Sequence, residues 1–147
     1  MNGELAEKFN VKQPGFLHWD LFREERHFLE VFKEERERGT IVFLTAESPN
    51  VLPQPEEICA RGDQYVYVIG GLVDHNVHKG LTHGIAETNG IGHARLPIDE
   101  WIVMYSSKVL AINHVFELML SASNKVPWKD ALEKVIPIRK KRKPVQN

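Results

Sequence analysis

Apolar residues in this chain follow two habits: short unbroken runs, and longer stretches spaced by three or four. Ile41-Val-Phe-Leu-Thr45 and Tyr65-Val-Tyr-Val-Ile69 are of the first kind. Apolar runs this short, rich in β-branched and aromatic residues, predict strands buried on both faces, as in parallel sheets. A briefer strand is predicted around Ala94–Leu96, ahead of Pro97. The second habit predicts helices. Leu21, Phe28, Val31 and Phe32 fall near helical spacing, with Asp20 placed to cap that helix, Glu34–Arg38 as its solvated end and Gly39 to stop it. Val109, Ile112, Val115, Phe116 and Met119 mark the plainest helix, beginning near Lys108. Trp128, Leu132 and Val135 mark a shorter last one, with Pro127 suited to its first turn. Thr82–Thr88 is a short helical stretch closed by Asn89-Gly90. Val51–Asp63, with two prolines and an Arg-Gly-Asp, reads as an irregular connection. Strands alternating with helices predict an α/β domain with a parallel sheet. Three strands are few for a sheet covered on both faces, so further strands are expected before them.

Length and composition change this picture little, and charge changes it more. At 147 residues with 42% hydrophobic content the chain suits one domain with a real core. No apolar run approaches the roughly 20 residues that cross a bilayer, so no membrane partner is expected. The first residues carry no basic, then apolar, leader pattern. The lone Cys59 makes no internal disulfide and fits a reducing compartment. The net charge of −1 hides an uneven distribution: Arg139-Lys-Lys-Arg-Lys143 holds five positive charges, leaving 14 basic against 20 acidic residues over positions 1–138, a body at −6. An acidic body with a basic tail confines any polyanion surface to part of the chain. Such a tail is a solvated appendage, a phosphate contact or a nuclear-import signal.

The chemistry concentrates where the second strand ends. Ile69 runs into Gly70-Gly-Leu-Val-Asp74-His-Asn76, two glycines that bare the backbone and then a carboxylate beside an imidazole and an amide. Ligands of open α/β sheets collect outside the carboxyl ends of strands, although a tight turn with a solvated tip would read the same. After the first strand, Thr45-Ala-Glu-Ser-Pro-Asn50 offers two readings. Thr45 and Ser48 bond a ligand and Glu47 a ribose hydroxyl, or Ser48 or Asn50 caps a helix. Lys108–His114 either closes a pocket with its backbone or opens an amphipathic helix with Asn113 and His114 on the wet side. Asp74, His75 and His78 lack the spacing of a zinc site, so no metal is expected. No Gly-x-Ser-x-Gly, Walker loop or Gly-x-Gly-x-x-Gly is present.

Taken in order, Thr45–Asn50, Tyr67-Val-Ile-Gly-Gly-Leu-Val-Asp-His-Asn76, Lys79-Gly-Leu-Thr82, Ala94-Arg-Leu-Pro-Ile98, Val109–Glu117 and Trp128–Leu132 through Ile136–Lys140 resemble the tRNA guanosine-9 N1-methyltransferases, a branch of the SPOUT methyltransferases. The match runs from about Phe16 to Lys140. The resemblance implies a SPOUT-like parallel sheet with a C-terminal trefoil knot, an exception to the rule of unknotted chains. It implies S-adenosyl-L-methionine as methyl donor, held by Leu44, Thr45, Gly70, Gly71, Asp74, His75, Asn76, His78, Thr82, Leu96, Lys108, Val109, Leu110 and Asn113. It places Asp74 as general base, tRNA as partner with His75, Lys79 and Arg95 as RNA contacts, and a monomer in the nucleus or cytoplasm. It also implies a first strand, a helix, a second strand and a basic extension ahead of Asn2-Gly3. On that reading residues 1–138 are a partial SPOUT domain and 139–147 a basic tail. Two alternatives remain: a non-catalytic product that binds donor or RNA, and methylation of adenosine at the same tRNA position.

Overall fold

A computed structural model of the chain describes residues 21–22, 24–69, 88, 90–104, 110–136 and 141–144. The chain divides into two compact units, Met1–Glu34 and Glu35–Asn147. In the first, the helix expected from Leu21 begins only at Phe28; Leu21 and Phe22 are exposed and non-helical, and Asp20 lies outside the described residues. Local side-chain bonding explains the late start. Glu24 takes the Arg26 backbone N–H at 3.0 Å and its guanidinium at 2.8 and 3.1 Å. The side-chain hydrogen bonds from Arg26, followed by its backbone N–H, hold the Glu24 carboxyl down at about 2. His27 Nδ1 then accepts the Leu29 N–H at 3.3 Å, capping helix α1 (Phe28–Val31). Phe32, at φ −106° and ψ 40°, separates it from α2 (Lys33–Arg38). Gly39 stops α2 as expected, at φ +71°, a conformation that a Cβ would strain.

The second unit is built on strand β1 (Ile41–Leu44). Helix α3 (Pro55–Arg61) and a 3-10 turn (Gly62–Gln64) lead to β2 (Val66–Ile69). Strand β3 (Gly92–Ala94), helix α4 (Ile98–Trp101) and strand β4 (Ile102–Met104) follow. Helices α5 (Ile112–Ser123) and α6 (Trp128–Val135) and strand β5 (Lys141–Pro144) complete the described elements. The parallel sheet of the predicted α/β fold is present in the order β2-β1-β3. β1 is hydrogen-bonded on both sides, so its unbroken apolar run is buried through Ile41, Phe43 and Leu44. β2 has one partner among the described strands and is half-buried throughout, less than its sequence suggested. β3 starts two residues before the expected position. Gly92 admits it, because a Cβ there would stand 3.1 Å from the Ile41 carbonyl oxygen.

Three other expectations need correction. The supposed irregular connection contains α3. Pro55 sits at its first turn, where a missing N–H costs nothing, Glu56 and Glu57 follow, and Ile58 anchors it in the core. Arg61 at its end ties α3 to β2, donating to Tyr67 Oη at 3.0 Å and Glu57 at 3.1 Å and lying over the Tyr65 ring at 4.3 Å. Burial works against the charge on Arg61, but Tyr67 and Glu57 outweigh it and hold the guanidinium above its ordinary value. Second, α5 starts at Ile112 rather than near Lys108; Leu110 is buried but not helical, and Ala111 is extended. Third, part of the basic tail is a strand. β5 pairs antiparallel with β4, Ile102 opposite Pro144 and Val103 opposite Lys143, with an irregularity before Met104–Lys141. The Thr82–Thr88 helix lies outside the described residues except for Thr88, which is helical.

One apolar cluster joins Leu44, Leu52, Ile58, Ala94, Ile98, Ile102, Leu110, Leu118, Trp128, Leu132 and Ile136. Within it the Trp128 ring is buried and its Nε1 donates to the Pro53 carbonyl at 2.9 Å. No described helix is long and apolar enough to cross a membrane.

Candidate functional site

The register of the sheet fixes where its carboxyl ends lie. Leu44 pairs with Ile69 on one side and Ala94 on the other, so all three strands stop at the same level. The segments that follow these ends in sequence are Thr45 to Asn50, Gly70 onward, and Arg95 to Pro97. The carboxyl ends of its strands are where an α/β sheet holds its ligand.

Two of these three exits are described, and they are laced together. Thr45 N–H donates to the Ala94 carbonyl at 2.9 Å, Arg95 N–H to Asn50 at 2.8 Å, and Leu52 N–H to Arg95 at 2.9 Å. Val51 and Arg95 form a parallel bridge that extends the sheet by one step. Ser48, only 2% exposed, sits at the centre. Its Oγ lies 2.8 Å from His93 Nδ1, accepts the Asn50 N–H at 3.0 Å, and is within reach of the His93 carbonyl at 3.2 Å. Asn50 Nδ2 adds a bond to that same carbonyl at 3.2 Å. Neither Ser48 nor Asn50 caps a helix; they lock the β1 exit onto β3. Glu47 is exposed on the rim, its N–H on Thr45 Oγ1 at 3.4 Å. A buried Ser-His pair raises the thought of a nucleophile. Here the hydroxyl is shared between the His93 ring and the backbone of His93 and Asn50, and it holds the loop in place.

The residues expected to hold a donor divide accordingly. Leu44 and Thr45 lie at the β1 exit, and Leu96 sits half-buried at the β3 exit against the core. Leu110 is a core residue just before α5, while Asn113 is exposed in the first turn of that helix. Gly70, Gly71, Asp74, His75, Asn76, His78, Lys79, Thr82, Lys108 and Val109 lie outside the described residues. Arg95, expected to touch RNA, forms an ion pair with Glu100, Nη2 to Oε1 at 3.0 Å. Among the described residues no three His, Cys, Asp or Glu side chains gather as metal ligands.

His114 is a residue on which the sequence left two readings open. Placed on the wet side as one alternative, it is half-buried, and its Nδ1 is shut off from solvent with no hydrogen-bond partner. Its spacing gave a hint, since it lies four residues before Leu118 on the inner stripe of α5. The Ser48–His93 lock gave less, because its halves are 45 residues apart.

A family model described as tRNA (guanine(9)-N(1))-methyltransferase TRM10/TRM10A matches residues 1–141. This chain belongs to that family. Among TRM10-family relatives, tRNA methyltransferase 10 homolog A of Rattus norvegicus is 42% identical over 139 residues, which is 94% of this chain and 38% of the rat protein. The Homo sapiens homolog A is 40% identical over the same span and share. The tRNA (guanine(9)-N1)-methyltransferase of Aspergillus fumigatus is 43% identical over 104 residues, 71% of this chain and 25% of the fungal one. The chain thus spans less than half the length of these relatives. Among solved structures, full-length spTrm10 in complex with SAH superposes with a TM-score of 0.73 at 31% identity, covering 93% of this chain and 70% of that one. The spTrm10(74) structure gives 0.72 at 30% identity, with the same coverage.

Proposed function

We propose that this chain carries the donor-binding and methyl-transfer site of a tRNA (guanine-9-N1)-methyltransferase. The observation that carries the reading is the common level of Leu44, Ile69 and Ala94, the strand ends that the Thr45 loop, the glycine loop and the Arg95–Pro97 segment follow in sequence. Membership of the TRM10 family and the likeness to an SAH complex, SAH being the demethylated donor, support it.

The described residues fit such a ligand. The β1 and β3 exits are joined by backbone hydrogen bonds, and one buried imidazole nitrogen is left without a partner. S-adenosyl-L-methionine, when bound, supplies an electrophilic methyl group without a metal. Leu44, Thr45, Leu96 and Leu110 would line its apolar side, with Gly70, Gly71 and the Lys108–Asn113 backbone facing its polar ends. Guanine N1 carries a proton that must leave as the nitrogen attacks, and Asp74 is the carboxylate placed in sequence to accept it. An ordinary aspartate has a pKa of about 3.9, so a base at this position works best where burial raises it. Guanosine must also leave its stack to reach the site; His75 and Lys79 are the proposed RNA contacts beside it. The same reading carries a trefoil knot through the C-terminal loops, a monomeric state, and residence in the nucleus or cytoplasm.

Incubation with S-adenosylmethionine and two transcripts differing only in guanosine or adenosine at position nine tests it. N1-methylguanosine in the first transcript, lost in Asp74→Asn, is the expected result. Modification of the adenosine transcript alone would change the substrate, and donor binding without transfer to either would reduce the chain to a binding module.

A further inference from the structure

Among the described residues one buried side-chain atom has no hydrogen-bond partner: Nδ1 of His114. A polar atom cut off from water is costly to leave unpaired, so native proteins satisfy it with protein, water or ligand. The first is absent here. A trapped water needs two to four polar partners of its own. Leu110 and Leu118, four residues to either side in sequence, are core residues without a polar side chain. A ligand that brings its own polar atoms does not have this difficulty.

The position agrees. His114 lies in the first turn of α5, on the stripe that continues through the buried Leu118 and Ala122. That helix packs on β2, whose last residue Ile69 immediately precedes the glycine loop in sequence. In sequence it also follows directly on the Lys108–Asn113 segment.

We infer that His114 contacts the donor, its Nδ1 forming a hydrogen bond with a polar atom of S-adenosylmethionine. The inference rests on the donor-binding reading above and adds a side chain that the family resemblance did not mark. Neutral imidazole accepts or donates at Nδ1 according to its tautomer, so the bound ligand selects the tautomer.

Calorimetric titration of the full chain with S-adenosylhomocysteine, together with thermal melts of the ligand-free protein, tests this in wild type, His114→Leu and His114→Gln. One lost hydrogen bond corresponds to about a three- to tenfold weaker affinity. We expect that loss in His114→Leu, with a ligand-free melting temperature equal to or above wild type because the unpaired nitrogen is gone. His114→Gln, which keeps a donor and an acceptor, recovers part of the affinity. Binding by His114→Leu within about twofold of wild type overturns the inference. So does an affinity that falls only together with the melting temperature and is not recovered by Gln, the pattern of a purely structural histidine. Failure of the wild type to bind S-adenosylhomocysteine would instead refute the donor-binding reading, and this inference with it.

Discussion

Helices α5 and α6 are consecutive and packed on each other, yet they use their apolar residues in opposite ways. In α6 every apolar position faces inward: Trp128, Ala131, Leu132 and Val135 are buried, and Lys129, Asp130, Glu133 and Lys134 are exposed. α5 is longer, but of its twelve residues only Leu118 and Ala122 are fully enclosed. Ile112, Phe116 and Leu120, each four residues from the next, form a second apolar stripe that is 42%, 60% and 52% exposed. Periodicity tells that a helix exists. When a helix carries two apolar stripes, periodicity does not tell which one meets the core.

The contrast is broken most directly at Trp128. Trp128→Ala removes a fully buried ring and its bond to the Pro53 carbonyl, and should cost about 3–5 kcal/mol in urea denaturation. A loss below about 1 kcal/mol would mean that α6 is not the wall of the core that its burial pattern marks. Leu118→Ala should follow at about 2–4 kcal/mol, since the inner stripe of α5 is as tightly enclosed at that point. If it costs no more than a surface change, the inner and outer stripes of α5 have been assigned the wrong way round.

What the chain made legible follows the same division. β1 and α6 could be read directly, because each has one apolar pattern and one place to put it. α3 was hidden by Pro53 and Pro55, turn signals in general but favourable at a helix start. β5 was hidden because Lys-Arg-Lys-Pro carries no apolar alternation; its pairing with β4 runs through the backbone. α1 was displaced by Glu24 and His27, whose side chains bond to nearby N–H groups. At the candidate site, Leu44 and Leu96 came from the family resemblance, and Thr45 could also be read from its place after the first strand. The level at which the three strands stop is a matter of register, and no local pattern states it. Ser48 and His93 are joined only by folding. Of the two readings left open for His114, one set it in solvent beside Asn113, which is exposed.

A smaller test lies in the turn between the two helices. Val126 N–H donates to the Ser121 carbonyl and Lys125 N–H to Ala122, both at 3.0 Å, the paired bonds that close a helix with a left-handed residue. Lys125 holds that position at φ +62°, where glycine is the usual occupant. Lys125→Gly should therefore stabilise the protein by about 0.5–1 kcal/mol, read as a higher denaturation midpoint at unchanged slope. Destabilisation would show that the lysine side chain, and not the backbone alone, fixes the angle between α5 and α6.

The smallest expected effect is the one that decides the comparison. Phe116→Ser combined with Leu120→Ser removes two large apolar side chains from α5, a change that inside a core would cost several kcal/mol. Both are more than half exposed, so the double variant should stay within about 0.5 kcal/mol of wild type. Its affinity for S-adenosylhomocysteine should be unaltered, because the outer stripe faces away from Leu118 and the inner side on which His114 lies. A loss approaching that of Leu118→Ala would place both stripes of α5 in the core and erase its difference from α6. A weakened ligand affinity without lost stability would put the site on the opposite side of the helix from the unpaired imidazole nitrogen.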